Sequence, residues 1–212
     1  MQKLFLIIPM CLLLVVSGCT EEKDQMQREL GSILTDIQAY EKKVAEYENQ
    51  LASLEKKEQI LFEKTVDFSV EERELVEGGV SRLDNYLDER WQLIKREQEV
   101  IDDAEETIEQ LTALSDEASD EGSPSVAELK TALTKRYALH REVIGLYEEL
   151  MDMQSALYGL LIEENVKRVE LEEATIAVNQ QRSKLEDAIQ VFNQSTLEVN
   201  SALKETQRVE SE

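Results

Sequence analysis

A chain of 212 residues with 46 acidic against 23 basic side chains carries a formal charge of −23, a surface that repels nucleic acid and anionic lipid headgroups. Its 42% hydrophobic content excludes general disorder, and only two prolines and seven glycines interrupt it, which points to long helices or coiled coils.

The N-terminus reads as an export signal. Lys3 supplies a positive start, and residues 4–16 form an apolar run broken only by Pro9. A membrane span needs about 20 apolar residues, so this run is too short to remain in the bilayer and has the form of a cleavable signal. Small residues Ser17 and Gly18 then precede Cys19, with a polar stretch behind it. Val16-Ser17-Gly18-Cys19 looks like a bacterial lipobox, with Val16 where Leu is more usual. In such proteins the cysteine thiol is diacylglycerated and becomes the mature N-terminus, so Val16, Ser17 and Gly18 are the expected signal-peptidase recognition residues and Cys19 the lipidated one. Two or more acyl chains give a stable anchor where one does not. Cys11 leaves with the signal and Cys19 is consumed by lipid, so no disulfide is available and stability must come from packing. Loss of Lys3 brings the mature charge to −24. The expected organisation is a signal peptide over residues 1–18, a lipidated N-terminus and polar tether over 19–25, and a helical bundle over 26–210.

From Met26 the apolar residues Leu30, Ile33, Ile37, Tyr40, Val44, Tyr47, Leu51 and Leu54 recur at steps of three and four, a heptad seam that must face a partner. The helix runs to about Phe62, roughly 55 Å at 1.5 Å per residue. Residues 65–68 break the pattern, and Ser69 with Glu72 reads as a capping box opening the next helix. Gly78-Gly79 predicts an early kink. Val80, Leu87, Ile94, Ile101 and Ile108 then fall every seven residues, with Leu83, Ala104 and Leu111 as alternate members, Arg90 and Glu97 diluting the seam and Trp91 covering its edge. Residues 115–125 are acidic and serine-rich, a solvated loop. They fail as a calcium loop because Ala118 occupies a ligand position and the sixth place lacks glycine. Pro124 followed by Ser125 and Glu128 marks the next helix start.

The third seam reads Val126, Leu129, Leu133, His140, Val143, Tyr147, Leu150, Leu157 and Leu161, with Arg136 and Gln154 as polar members. The fourth reads Leu171, Ala174, Val178, Leu185, Ala188, Phe192, Val199 and Ala202. The two are out of phase, so residues 162–170 hold either a turn or a stutter. The fold is an all-α, elongated antiparallel up-and-down bundle, of four helices or of three with a very long last one. Length matching favours four, because a double-length helix leaves half its seam uncovered.

No catalytic constellation is legible. His140 is the single histidine, which excludes the paired Glu-x-x-His sites of di-iron bundles, and no Ser-His-Asp set or phosphate loop occurs. Pairs such as Asp102-Asp103, Glu105-Glu106 and Glu172-Glu173 are solvent-facing decoration in a chain this acidic. The reading is a non-enzyme with no metal and no cofactor, and His140 is a half-buried seam residue.

Several stretches in this order resemble one family: the lipobox at Cys19, Leu54-Glu55-Lys56-Lys57-Glu58, Asp88-Glu89-Arg90, Lys135-Arg136-Tyr137-Ala138-Leu139-His140, Leu171-Glu172-Glu173 and Phe192-Asn193. They resemble the YkyA-type lipoproteins of Firmicutes, described as cell-wall-binding. The resemblance implies an antiparallel helical bundle on the outer face of a Gram-positive cytoplasmic membrane, facing the wall. It carries over no catalytic residue. The expected partners are the membrane through Cys19 and peptidoglycan or another envelope protein, with an accessory subunit of a membrane enzyme or transporter as the alternative role.

Overall fold

The computed structural model describes residues 21–68, 72–117 and 123–211. They form four helices, α1 (Glu21–Val66), α2 (Arg73–Glu117), α3 (Ser123–Ile162) and α4 (Arg168–Ser211), and no strand. The all-α four-helix reading is therefore the observed one, and the break in phase near residue 165 is a turn. Helix α1 is already formed at Glu21, so the residues read as a tether are helical from there on; nothing in Glu-Glu-Lys-Asp-Gln breaks a helix. Among the described residues, no helix is long and apolar enough to cross a membrane.

Local chemistry accounts for the helix ends. The Glu170 carboxylate accepts a hydrogen bond from the Lys167 backbone N–H at 3.0 Å, and the Glu170 N–H donates to the Lys167 carbonyl at 2.9 Å. This is the reach-back half of a capping box, with lysine where serine or threonine normally advertises it. At the end of α3, the Arg73 guanidinium donates to the Ile162 carbonyl at 3.1 Å, satisfying a group that α3 leaves without an intrahelical donor. Helix α3 starts ahead of Ser125, with Pro124 in its first turn, where a missing N–H costs nothing. The capping box expected at Ser69 and the rest of the acidic loop, residues 118–122, lie outside the described residues.

Helix α2 runs uninterrupted through Gly78 and Gly79. What Gly79 provides is space. A Cβ at this position would stand 2.3 Å from Thr65 Oγ1 and 2.7 Å from its Cγ2, so the missing side chain lets α1 and α2 pack close.

The helices fold into two compact units, each built from one segment of all four. The first holds the described residues up to Glu46 with Glu97–Arg141 and those from Ile189 on; the second holds Tyr47–Arg96 and Glu142–Ala188. Leu30, Ile37, Ile101, Ile108, Leu129 and Phe192 are buried in the first, and Leu51, Leu83, Leu87, Met151 and Leu185 in the second. The α1 seam also takes polar members: Leu51 is followed seven residues on by Glu58 and then by Thr65, both buried, with Leu54 and Leu61 buried between them. Helix α3 buries a further ladder, Tyr137, Ile144, Met151 and Tyr158, again seven apart.

Candidate functional site

Cys19 and its flanking Val16, Ser17 and Gly18 lie outside the described residues. What the structure adds is a set of charged and polar side chains on the seams, gathered in each unit around one buried arginine.

In the second unit that residue is Arg90, 1% exposed. Its Nε donates to Tyr147 Oη at 2.9 Å, and its Nη1 donates to Glu58 Oε2 at 2.6 Å and to Gln154 Oε1 at 3.0 Å. Nη2 lies 3.5 Å from Glu55, and the guanidinium sits 4.8 Å from the centre of the Tyr147 ring. The carboxylates are shared: Glu58 also accepts from Gln154 Nε2 and Tyr158 Oη, and Glu55 accepts from Tyr147 Oη at 2.6 Å. Burial works against the Arg90 charge, but Tyr147, Glu58 and Glu55 outweigh it and raise its pKa, so the guanidinium stays protonated. Burial pushes the Tyr147 and Tyr158 hydroxyls upward, so both keep their protons and donate them to Glu55 and Glu58, Tyr147 while also accepting from Arg90.

In the first unit Arg136, also 1% exposed, grips Glu41 with both terminal nitrogens, the Nη2 contact being 2.7 Å. This planar two-bond match is the strong form of the arginine–carboxylate pair. Arg136 Nε donates to Thr196 Oγ1 at 3.1 Å, and the guanidinium lies 4.6 Å from the centre of the Phe192 ring. Tyr137 Oη donates to Glu41 Oε1 at 2.6 Å. One helical turn further along α3, His140 packs on Phe192 at 4.7 Å between ring centres and meets Glu97 Oε1 at 2.8 Å through Nε2.

The Glu97–His140 pair differs from the arginine clusters. Burial pushes the Glu97 carboxyl up to about 8 and His140 down to about 3, the latter helped by Arg136 and opposed by Glu41. Near neutral pH the pair therefore holds one proton and no net charge, with protonated Glu97 donating to His140 Nε2. His140 is fully buried, not half-buried as expected from the sequence, and it has a carboxyl partner. Among the described residues, these two offer an imidazole and a carboxyl group side by side for a metal ion. Surface pairs are ordinary by comparison: Arg141 bridges Asp102 and Glu105, all substantially exposed.

Sequence reasoning placed all of Arg90, Glu97, Arg136, His140, Tyr147 and Gln154 on seams, Arg90 and Glu97 as dilution, Arg136 and Gln154 as polar members, and His140 and Tyr147 as ordinary ones. It missed their partners Glu41, Glu55, Glu58 and Thr196. For Glu58 the signal was present in the seven-residue step from Leu51. Glu41 and Glu55 carry no such mark, because they flank the seam and resemble any solvent-facing glutamate.

A family model described as "Putative cell-wall binding lipoprotein" matches residues 25–209. Among solved structures the chain is similar to a protein from Staphylococcus aureus whose crystal structure is described as that of "a Conserved Protein of Unknown Function". The identity is 16% and the TM-score 0.74, over 90% of this chain and 97% of that one, a likeness of fold. No curated protein sequence matches the chain. With nearly the whole described chain covered by the family model, the protein belongs to the YkyA family.

Proposed function

We propose that this chain is a lipid-anchored extracytoplasmic lipoprotein, held at the outer face of the cytoplasmic membrane by Cys19, that binds the cell wall without enzymatic activity. The observation that carries the reading is the family match over residues 25–209, whose description names both the lipoprotein character and the wall. In support, Val16-Ser17-Gly18-Cys19 supplies the acylation motif that such a description requires. The charged groups of the seams are consumed in pairs with one another, which suits a rigid binding module better than a reaction centre. Residues 1–18 are then the signal, 19–25 the anchored start, and 26–210 the wall-facing domain.

The deciding experiment is co-sedimentation of the soluble Cys19→Ser protein, lacking residues 1–18, with purified peptidoglycan, with and without wall teichoic acid and millimolar magnesium. Saturable binding to stripped peptidoglycan is the expected result. Binding that needs both teichoic acid and magnesium identifies cation bridging between two polyanions, since a charge of −24 opposes direct contact. Failure to bind under any condition overturns the wall-binding reading.

One observation favours a second reading, an accessory protein in a membrane-associated complex. Among the described residues, six of the eight exposed large apolar side chains, Ile60, Val66, Leu75, Ile162, Val169 and Ile176, belong to the second unit. Exposed apolar surface marks protein contact where it forms a contiguous patch. Co-purification of a stoichiometric partner from detergent-solubilised membranes supports this reading, and its loss on changing Val169 and Ile176 to Ser assigns the face.

A further inference from the structure

Four buried side-chain atoms have no hydrogen-bond partner among the described residues: Glu97 Oε2, His140 Nδ1, Gln181 Oε1 and Asn193 Oδ1. Two of the four belong to one hydrogen-bonded pair, Glu97 with His140, while the Arg90 cluster leaves none. A buried polar group without a partner costs about 1–3 kcal/mol, and its persistence asks for a water, an ion or a function. The unpartnered Oε2 sits on the same carboxyl group as Oε1, so Glu97 has a second oxygen free to take a bond.

The spacing of the pair suits a metal ion. Glu97 Oε1 and His140 Nε2 are 2.8 Å apart. Bonds of about 2.0–2.2 Å from one ion to an imidazole nitrogen and a carboxylate oxygen, at the tetrahedral angle, leave those two atoms about 3.4 Å apart. An ion can therefore replace the bridging proton if the two side chains part by about half an ångström. The ring is already fixed for it: His140 packs on Phe192, and neighbouring Arg136 is tied to Glu41 in two bonds and is not free to pair with Glu97. The donor set selects the metal. Imidazole with carboxylate suits zinc and other borderline ions, whereas calcium and magnesium take oxygen ligands alone.

We propose that Glu97 and His140 form a binding site for a borderline divalent cation of the zinc class, with water completing the coordination. The site is a feature of the first unit and does not depend on what the protein binds at the wall.

The chain's single histidine makes the test direct, because imidazole ¹⁵N resonances need no assignment. The protein, purified without a histidine tag, is refolded from denaturant with ¹¹³Cd²⁺ so that burial does not block entry. The expected result is one bound cadmium showing one-bond coupling to a His140 nitrogen, displaced by zinc. Glu97→Gln is expected to weaken binding by more than the roughly 10–100-fold of changes one shell removed from a metal. His140→Asn removes the coupled signal, and far-UV circular dichroism on both variants keeps loss of binding distinct from loss of fold. Cadmium bound with no coupling to His140, unchanged affinity in folded Glu97→Gln, or no binding after refolding would each overturn the site.

Discussion

Arg90 of α2 and Glu58 of α1 meet 2.6 Å apart with side chains only 1% and 2% exposed. An ion pair so deeply buried contributes little net stability against an apolar replacement, yet removing one partner strands the other charge and costs about 3–5 kcal/mol. Arg90→Met is therefore expected to lower the urea midpoint sharply, since Glu58 stays buried without its cation. Adding Glu58→Met is expected to restore part of the loss and give a favourable coupling in the double-mutant cycle. The recovery stays incomplete, because Tyr147, Gln154 and Tyr158 also lose partners in this cluster. Additive losses in the cycle would show that the pair is not the energetic unit the geometry suggests.

Gly79→Ala inverts the usual helix rule. Alanine normally gains about 1 kcal/mol over glycine within a helix. Here its methyl group would overlap Thr65, whose hydroxyl is committed to the Leu61 carbonyl at 2.8 Å. The expected outcome is net destabilisation of about 1–3 kcal/mol, the range of overpacked cores. In a Thr65→Ala background the closest overlaps disappear and the same substitution becomes neutral or stabilising. Thermal melts of the four proteins check the change of sign.

Surface and core arginines are predicted to separate by size of effect. Arg141 makes short contacts to Asp102 and Glu105, but its side chain is 45% exposed and theirs 62% and 37%. Such pairs contribute about 0–1 kcal/mol and fade with salt. Arg141→Ala is expected to shift the unfolding midpoint slightly at low ionic strength and not at all in molar salt. Arg136→Met should cost several times more and resist salt, because Glu41 then loses both guanidinium bonds. Equal costs for the two would mean that burial is not what separates them.

The architecture was legible because it follows from periodicity. Apolar residues seven apart on every helix leave few ways to hide them, and Val80, Leu87, Ile94, Ile101 and Ile108 are all buried as their spacing requires. The α3–α4 turn was harder, since Lys167 occupies the cap position and only the Glu170 side chain closes it. The room that Gly79 leaves for Thr65 was not legible, because a glycine that makes room for a neighbouring helix and one that bends its own are the same letter. The polar core was half legible. Arg90, Arg136 and His140 stood on the seams, but a one-dimensional pattern shows that a charge is inside and not which charge on another helix answers it. Glu41 lies 95 residues from Arg136 along the chain.

The Glu97–His140 pair sets a pH optimum for the metal-free protein. Glu97, raised by burial from 4.5 to about 8, contributes stability below 4.5 that is lost as pH rises to 8. His140, lowered by burial from 6.5 to about 3, contributes stability above 6.5 that is lost as pH falls to 3. Between pH 4.5 and 6.5 the two slopes cancel, because folded and unfolded chains each hold one proton on the pair. From 6.5 to 8 the unfolded histidine has lost its proton while the folded pair keeps one, so stability falls with rising pH by about 2 kcal/mol. Below 4.5 the unfolded chain takes up a second proton before the folded one does, and stability falls again. Urea midpoints measured from pH 4 to 8.5 with chelator present, for the wild type and a folded Glu97→Gln/His140→Gln variant, isolate this contribution from the other carboxylates. The difference between the two curves should be flat from 4.5 to 6.5 and decline on both sides. A difference that stays level through pH 8 would mean that the folded pair holds no proton above pH 6.5, with Glu97 ionised beside a neutral His140.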